Sequence, residues 1–199
     1  MTSSHSIERP ARSLSVCVFA GARSGTDDRA AAAAEDLGGL LGKRGHQLVY
    51  GGGGSGLMGT VAWSAHHAGA EVVGIIPRFL YELERGIAAP PQTLQLTDTL
   101  AERKTEMLRQ ADAFVALPGG FGTMDEVLEV LSLACLAQHL KPLVLLDVGD
   151  AWRTLRAVLQ DVCSRGYADL GRSGLQIVRE AADAVAAVEG AKVPGGALC

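Results

Sequence analysis

The chain has 199 residues, of which 48% are hydrophobic, and it contains 25 glycines. This length suits one α/β domain with a sizeable core, and the composition suits a buried parallel sheet joined by tight turns. The net charge is −4 and no basic block occurs, so the charge gives no support for nucleic acid or an anionic membrane as a partner. No apolar run reaches the roughly 18 residues of a membrane-spanning helix.

The four cysteines are widely spread and form no C-x-x-C pair, which argues against a disulfide framework and against a zinc site. We therefore expect a protein of the reducing cytoplasm. Residues 1–13 are predicted to be a disordered tail, because no apolar segment of a signal peptide occurs there. Residues 191–199 are predicted to be a second tail, so that residues 14–190 form a single domain.

Short apolar segments alternate with helical patterns along the chain. The predicted strands are residues 14–20, 47–50, 71–76, 93–96, 113–117 and 142–146. The predicted helices are residues 27–44, 57–68, 99–110, 123–138, 150–165 and 180–189. This alternation predicts an α/β fold, namely a Rossmann-like, doubly wound, mainly parallel sheet with helices on both faces. Ligands of such sheets bind at the carboxyl ends of the strands, near the point where the strand order reverses.

Glycine-rich segments follow three of the predicted strands, at residues 21–25, 51–56 and 119–122. The first segment contains Gly21. Because all three segments lie at carboxyl ends of predicted strands, we expect them to converge on one binding site. Three converging loops of the phosphate-binding type are stronger evidence for such a site than any one of them.

The second glycine-rich segment matches the dinucleotide fingerprint G-x-G-x-x-G in two registers. That fingerprint also needs an acidic residue about 20 residues later, for the ribose hydroxyls. Ile75-Ile76-Pro77-Arg78 stands there instead, so the pattern does not favour an NAD or FAD site. We interpret the segment as a loop for close approach to a ligand through Gly53, with Ser55 as a helix cap.

The third segment, Pro118-Gly-Gly-Phe-Gly-Thr-Met-Asp-Glu126, joins a predicted strand to a predicted helix. Its glycines let the backbone approach a ligand, and the free N–H groups of the helix start form an anion site, most often for phosphate. Two carboxylates, Asp125 and Glu126, follow at once. Either Thr123 and Glu126 form a capping box, or Glu126 faces a sugar on which positive charge develops.

Two charged residues lie beside the apolar stripe of the predicted helix 99–110. Arg103 and Lys104 either bury only their aliphatic stems, or Arg103 enters the pocket and meets a carboxylate or the ligand. Residues 77–91 form the longest irregular stretch, which fits either a functional loop over the site or a solvated loop. The histidines show no metal-ligand spacing.

Within the predicted helix 123–138, the part from Val127 to Ala137 is apolar nearly all round. This pattern is typical of a buried core helix or of one half of a subunit interface. We predict a homodimer, in which the interface would be coupled to the binding site because this helix starts at the third glycine-rich segment.

Three segments together resemble the LOG ("lonely guy") family of cytokinin riboside 5′-monophosphate phosphoribohydrolases, formerly misnamed lysine decarboxylases. They are Tyr50-Gly-Gly-Gly-Gly-Ser-Gly-Leu-Met-Gly59, Glu102-Arg-Lys104 and the segment 118–126. The similarity extends from Ser15 to Val188. It implies hydrolysis of the N-glycosidic bond of a cytokinin riboside 5′-monophosphate, or of AMP, to free base and ribose 5-phosphate, without a cofactor.

The resemblance also implies site residues. By position, Arg103 and Glu126 match the catalytic pair of the family. The substrate-binding residues implied by the same match are Glu84, Lys104, Gly119, Gly120, Phe121, Gly122, Thr123, Met124, Asp125 and Ser132. Our interpretation of the glycine-rich segments adds Gly21, Gly53 and Ser55 to the predicted substrate site.

The chain differs from the family pattern at a few positions. The first loop has Ala22 and Arg23 where the family usually has two serines, and Arg23 either adds affinity for phosphate or obstructs the usual geometry. Asp125 replaces a glutamate and Leu133 an aromatic residue. Two other functions stay open from the residues alone: a general purine 5′-nucleotide nucleosidase, and a carrier that binds a nucleotide or a nucleotide cofactor without cleaving it.

Overall fold

The computed structural model describes residues 13–171 and 173–190, so the predicted tails lie outside the described residues except for Ser13. The strands are β1 (Ser15–Phe19), β2 (Gln47–Tyr50), β3 (Val72–Pro77), β4 (Thr93–Thr97), β5 (Ala113–Ala116), β6 (Leu143–Leu146) and β7 (Leu175–Val178). The helices are α1 (Asp28–Arg44), α2 (Gly56–His67), α3 (Arg78–Leu83), α4 (Leu100–Gln110), α5 (Phe121–Cys135), α6 (Arg153–Ser164) and α7 (Ala181–Gly190), with a 3-10 turn at Val148–Asp150.

The described strands form one parallel sheet in the order β4-β3-β2-β1-β5-β6-β7. The chain moves outward from β1 to β4 and then returns to place β5 beside β1, so the strand order reverses between these two strands. Helices α1, α2 and α7 pack on one face, and α4, α5 and α6 pack on the other. The predicted Rossmann-like, doubly wound fold is confirmed, and the reversal point is where a ligand is expected.

Hydrophobic side chains fill the space between the sheet and each helical layer. Strands β5 and β6 are buried along their whole length, because both faces of the sheet are covered. Burying a large aliphatic side chain stabilises the fold by about 1.5–3 kcal/mol, before the cost of ordering the chain is counted. On the α1 side, the helices pack backbone to backbone, since a Cβ at Gly38 would lie 2.3 Å from the Val61 carbonyl oxygen.

Several elements differ from the sequence-based expectations, and helix α6 begins at Arg153, three residues after its predicted start. The edge strand β7 was not predicted, because it has only four residues and two of them are half-buried, so its apolar run is too short to recognise. Helix α3 lies inside the stretch 77–91 that was predicted to be irregular, and it buries none of its residues, so it has no hydrophobic pattern. Helix α5 begins at Phe121, two residues before the predicted start.

Candidate active site

The three glycine-rich segments contact one another at the carboxyl end of the sheet. The Gly21 N–H donates to the Pro118 carbonyl oxygen at 3.2 Å, which joins the β1 loop to the β5 loop. The Met58 N–H donates to the Gly21 carbonyl oxygen at 3.1 Å, which joins the β1 loop to the start of α2. The predicted convergence of the loops is therefore present, and it occurs at the reversal point between β1 and β5.

These loops line a cleft of about 780 Å³. Its walls come from the β1 loop, the Gly51 loop, α3, α4 and the start of α5. Residues that the sequence predicted for the site and that line the cleft are Gly21, Glu84, Arg103, Gly119, Gly120, Phe121, Gly122, Thr123 and Glu126. Further lining residues include Ala22, Arg23, Gly51, Leu57, Met58, Ile76 and Leu80.

The start of α5 provides the part of the cleft best suited to an anion. Gly120 is the N-cap residue and no side chain caps the helix there, so the first N–H groups of α5 have no intrahelical acceptor. A Cβ at Gly120 or Gly122 would meet no atom within 4 Å, so open space lies in front of this backbone. Free N–H groups and the positive end of the helix dipole make this turn a site for a phosphate group.

Arg103 and Glu126 form an ion pair at the floor of the cleft. Arg103 Nη2 lies 3.1 Å from Glu126 Oε1, and the two side chains are 14% and 10% exposed. The capping-box interpretation of Glu126 is wrong: α5 begins at Phe121, so Glu126 lies in its second turn and its carboxylate contacts Arg103 rather than a terminal N–H group. Of the two interpretations of Arg103, the structure has the one in which its side chain enters the pocket and meets a carboxylate.

The environment of Glu126 changes its acid–base behaviour. Burial raises the pKa of Glu126 to about 7, while the positive charge of Arg103 acts in the opposite direction. Glu126 also lines a small chamber, where Phe19, Phe114 and Leu133 are among the apolar lining residues. A carboxyl group with a pKa near neutrality can exchange its charge at physiological pH, as groups in active sites commonly do.

Gly51 and Gly53 provide space for charged side chains. A Cβ at Gly51 would lie 2.3 Å from Arg103 Nη2, and a Cβ at Gly53 would lie 2.4 Å from Glu84 Oε2. The sequence pattern predicts that this loop lets a ligand come close to the backbone. At Gly51 and Gly53, the side chains of Arg103 and Glu84 fill that space instead. The glycine run indicated close approach, but its sequence could not indicate which group approaches, and Gly51 was not among the predicted site residues.

Glu84 follows α3 and lies at the mouth of the cleft. Its Oε2 atom is buried and accepts no hydrogen bond from the described part of the chain. A buried carboxylate oxygen without a donor is unfavourable. Because Glu84 belongs to the segment 77–91, this segment contributes directly to the site, as one of the two interpretations of its length expected.

Several predicted substrate-binding residues lie outside the cleft, and their roles stay predictions. Lys104 Nζ lies 2.8 Å from Asp125 Oδ2 and also contacts Glu129, so one ammonium group pairs with two carboxylates between α4 and α5. Met124 packs against the core beneath α5. Ser132 is exposed on the outer face of α5. Ser55 is the N-cap residue of α2, as predicted, but its hydroxyl group makes no capping hydrogen bond.

The described residues contain no group of three or more potential metal ligands. Within the same part of the chain, no helix is both long enough and apolar enough to cross a membrane. The cleft combines a helix N-terminus with two carboxylates, Glu84 and Glu126, and two guanidinium groups, Arg23 and Arg103.

Comparisons with known proteins identify the family of the chain. The family described as "Possible lysine decarboxylase" matches residues 58–189. The chain is 41% identical over 160 residues to the cytokinin riboside 5′-monophosphate phosphoribohydrolase LOG7 of Arabidopsis thaliana, which covers 80% of this chain and 73% of that protein. It is 39% identical over 165 residues to the probable cytokinin riboside 5′-monophosphate phosphoribohydrolase LOG4 of Oryza sativa subsp. japonica, which covers 83% of this chain and 71% of that protein.

A solved structure shares the fold. The molybdenum cofactor carrier protein of Chlamydomonas reinhardtii superposes with a TM-score of 0.68 at 23% identity, over 90% of this chain and 98% of that one. At this identity the likeness concerns the fold alone. The family match covers residues 58–189, and the two relatives are 41% and 39% identical over 80% and 83% of the chain. The chain therefore belongs to the LOG family, whose family description still reads possible lysine decarboxylase.

Proposed function

We propose that the protein hydrolyses the N-glycosidic bond of cytokinin riboside 5′-monophosphates, and of AMP, to free base and ribose 5-phosphate. The observation that carries the proposal is the Arg103–Glu126 pair, buried in the same cleft as the open N-terminus of α5. A phosphate on that helix turn places the attached ribose inside the cleft, within the region that Glu126 faces. The curated relatives are named for this reaction.

The reaction needs three contributions from the protein. The backbone N–H groups at Phe121, Gly122 and Thr123 hold the 5′-phosphate. The Glu126 carboxylate stabilises the positive charge that develops at the anomeric carbon, or orients the attacking water, as carboxylates do in glycoside hydrolysis. The Glu84 carboxylate, which lines the cleft, accepts a hydrogen bond from a ribose hydroxyl group.

The atoms and electrons of the proposed reaction balance with water as the second reactant and without a cofactor. The C1′–N bond breaks with its electron pair going to the base, the water oxygen bonds to C1′, and one proton of that water is transferred to the released base. Arg103 holds the Glu126 carboxylate in place and adds positive charge near the departing base. A guanidinium group stays protonated, so it acts through charge and position rather than as a proton donor.

The direct test is release of the base from a panel of nucleoside monophosphates, followed by chromatography. Glu126→Gln keeps the size of the side chain and removes its charge, so we expect kcat to fall by about a hundred- to a thousandfold. Nucleotide binding should remain. Glu129→Gln is the matched control, because Glu129 lies one turn further along α5 and pairs with Lys104 outside the cleft.

The same assay separates the alternatives. Retained nucleotide without any released base would indicate a carrier. A higher kcat/KM for AMP than for isopentenyladenosine 5′-monophosphate would indicate a general purine 5′-nucleotide nucleosidase. Full turnover by Glu126→Gln would falsify the role of this carboxylate.

A homodimer is part of the proposal, on the basis of the outer face of α5. Leu128 and Leu136 lie on this face and are 45% and 65% exposed, while Val127 and Val130 pack against the sheet on the opposite side. Leu100 on α4 is a further exposed leucine. Exposed leucines of this kind are commonly covered by another subunit.

We also place the protein in the cytoplasm. Cys17 and Cys135 form no disulfide bond, as expected in a reducing compartment. Fractionation of cells with an antibody to the chain tests this location, and recovery in an oxidising compartment would contradict it.

A further inference from the structure

Arg23 is a cleft residue that the family pattern does not explain. It replaces a serine of that pattern, its side chain is exposed, and it lines the same cleft as the start of α5. Its backbone is held closely, because a Cβ at Gly56 would lie 2.4 Å from the Arg23 nitrogen. The side chain therefore starts from a fixed point of the cleft wall.

The β1 loop brings this point close to the α5 N-terminus. A Cβ at Gly21 would lie 3.2 Å from the Gly119 Cα, so the two loops are in van der Waals contact. The Arg23 Cα is at most about 7 Å from the Gly21 Cα, since only one residue, Ala22, lies between them in the chain. A long side chain from Arg23 can span the remaining distance to an anion on the first turn of α5.

The charges of the cleft leave Arg23 available for a ligand. Of the cations that line the cleft, Arg103 is paired with Glu126, and no ion pair or hydrogen bond joins the Arg23 guanidinium group to another described residue. Glu84 and Glu126 are the acidic residues of the lining. A phosphomonoester carries about −1.5 to −2 charges at pH 7, so it adds negative charge to a lining whose charged side chains cancel.

We propose that Arg23 is a second ligand of the substrate 5′-phosphate, which it holds from the β1 side while the α5 backbone holds it from the other. This inference rests on the proposed function. A guanidinium group can donate two parallel hydrogen bonds to a phosphate, which a serine hydroxyl group cannot. Arg23 thereby makes the cleft selective for phosphorylated ligands over the corresponding nucleosides.

The test compares Arg23→Ser, Arg23→Lys and the wild-type protein in two measurements. Calorimetric titration with ribose 5-phosphate reports binding without turnover, and hydrolysis of isopentenyladenosine 5′-monophosphate reports KM and kcat. We expect Arg23→Ser to weaken ribose 5-phosphate binding and to raise KM by about tenfold, with kcat unchanged. Arg23→Lys should weaken ribose 5-phosphate binding less than Arg23→Ser does, because lysine keeps the positive charge. It should still bind more weakly than the wild-type protein, because lysine lacks the two parallel donors. The difference in ribose 5-phosphate affinity between the wild-type protein and Arg23→Ser should become smaller as salt is added.

Arg153→Ser is the matched control, because Arg153 is exposed on α6 and does not line the cleft. Unchanged or tighter binding of ribose 5-phosphate by Arg23→Ser would overturn the inference, and tighter binding would show that Arg23 obstructs the cleft. If the wild-type protein binds ribose 5-phosphate but hydrolyses no nucleotide, the proposed function fails while the Arg23 comparison still decides this inference. If it binds neither ribose 5-phosphate nor AMP, both fail.

Discussion

At the scale of single residues, the chemistry of Glu126 depends on two opposing effects. Removal from water favours the protonated carboxyl group, and the guanidinium group of Arg103 favours the carboxylate. Burial is the larger effect, so the pKa rises to about 7. A fully exposed glutamate is ionised at all physiological pH values, whereas Glu126 is only partly ionised near pH 7.

This shift predicts the pH dependence of the reaction. Because the proposed role needs the carboxylate, kcat/KM should rise with pH and level off above a midpoint close to the pKa of Glu126, which is about 7. The substrate phosphate ionises near pH 6, and its contribution is measured separately from the pH dependence of ribose 5-phosphate binding. A profile that falls above pH 7 would instead assign Glu126 the role of a proton donor.

Gly51 is a residue whose importance comes from the atoms it lacks. A Cβ at this position would lie 2.3 Å from Arg103 Nη2 and 2.8 Å from Met58 Sδ, and both are ends of flexible side chains that can move aside. The fold should therefore tolerate Gly51→Ala while Arg103 is displaced from Glu126.

We predict that Gly51→Ala lowers kcat by about a hundredfold, because misplacing a catalytic group by about 1 Å can have this effect. The melting temperature should change little. Gly39→Ala on α1 is the control, since its nearest neighbour, Ser64 Oγ, is 3.5 Å from the added Cβ and the site is remote. Wild-type turnover by Gly51→Ala would show that Arg103 does not need this space.

At the scale of elements, the central strands, the edge strand β4 and the long helices could be predicted from the sequence, whereas β7 and α3 could not. Strands β5 and β6 are continuous apolar runs because the sheet is covered on both faces. Strand β7 and helix α3 bury too few residues to produce a pattern. The start of α5 was misplaced because Thr123 is a good capping residue by type, whereas Gly120 leaves the turn uncapped.

The same contrast applies to the candidate site. The sequence placed Arg103 beside the apolar stripe of α4, but the choice of Glu126 as its partner depends on two helices that are 23 positions apart at this contact. Lys104 is the next residue and contacts Asp125 and Glu129 instead, because successive helical residues point in different directions. Contacts between helices depend on the fold, so the local sequence pattern of one helix does not predict them.

The packing of α1 on α2 gives a prediction at this scale. A Cβ at Gly38 would lie 2.3 Å from the Val61 carbonyl oxygen, and backbone atoms cannot move aside as a side chain can. Gly38→Ala should therefore lower the free energy of unfolding by about 1–3 kcal/mol. The neighbouring Gly39→Ala should raise it by up to about 1 kcal/mol, since alanine favours the helix and has space there. Denaturant unfolding of both variants measures the difference, and equal effects would contradict the close contact of the two helices.

At the scale of the whole molecule, the fold places the cleft and the exposed face of α5 on one element. The N-terminus of α5 forms the anion site, and its later turns present Leu128 and Leu136 to solvent. A helix that begins in the cleft and ends in an interface is held rigidly from both sides. The position of Glu126 in the second turn of α5 would then depend on assembly.

The last prediction tests this dependence. Leu128→Glu and Leu136→Glu each place a charge on the proposed interface, and burying an unpaired charge strongly opposes association. Light scattering after size-exclusion chromatography should show a dimer for the wild-type protein and a monomer for both variants, with reduced release of free base. Val158→Glu is the control, because Val158 is an equally exposed apolar residue, at 51%, on α6. A wild-type monomer with full activity would exclude the dimer, and dimeric variants with full activity would place the interface elsewhere on the surface.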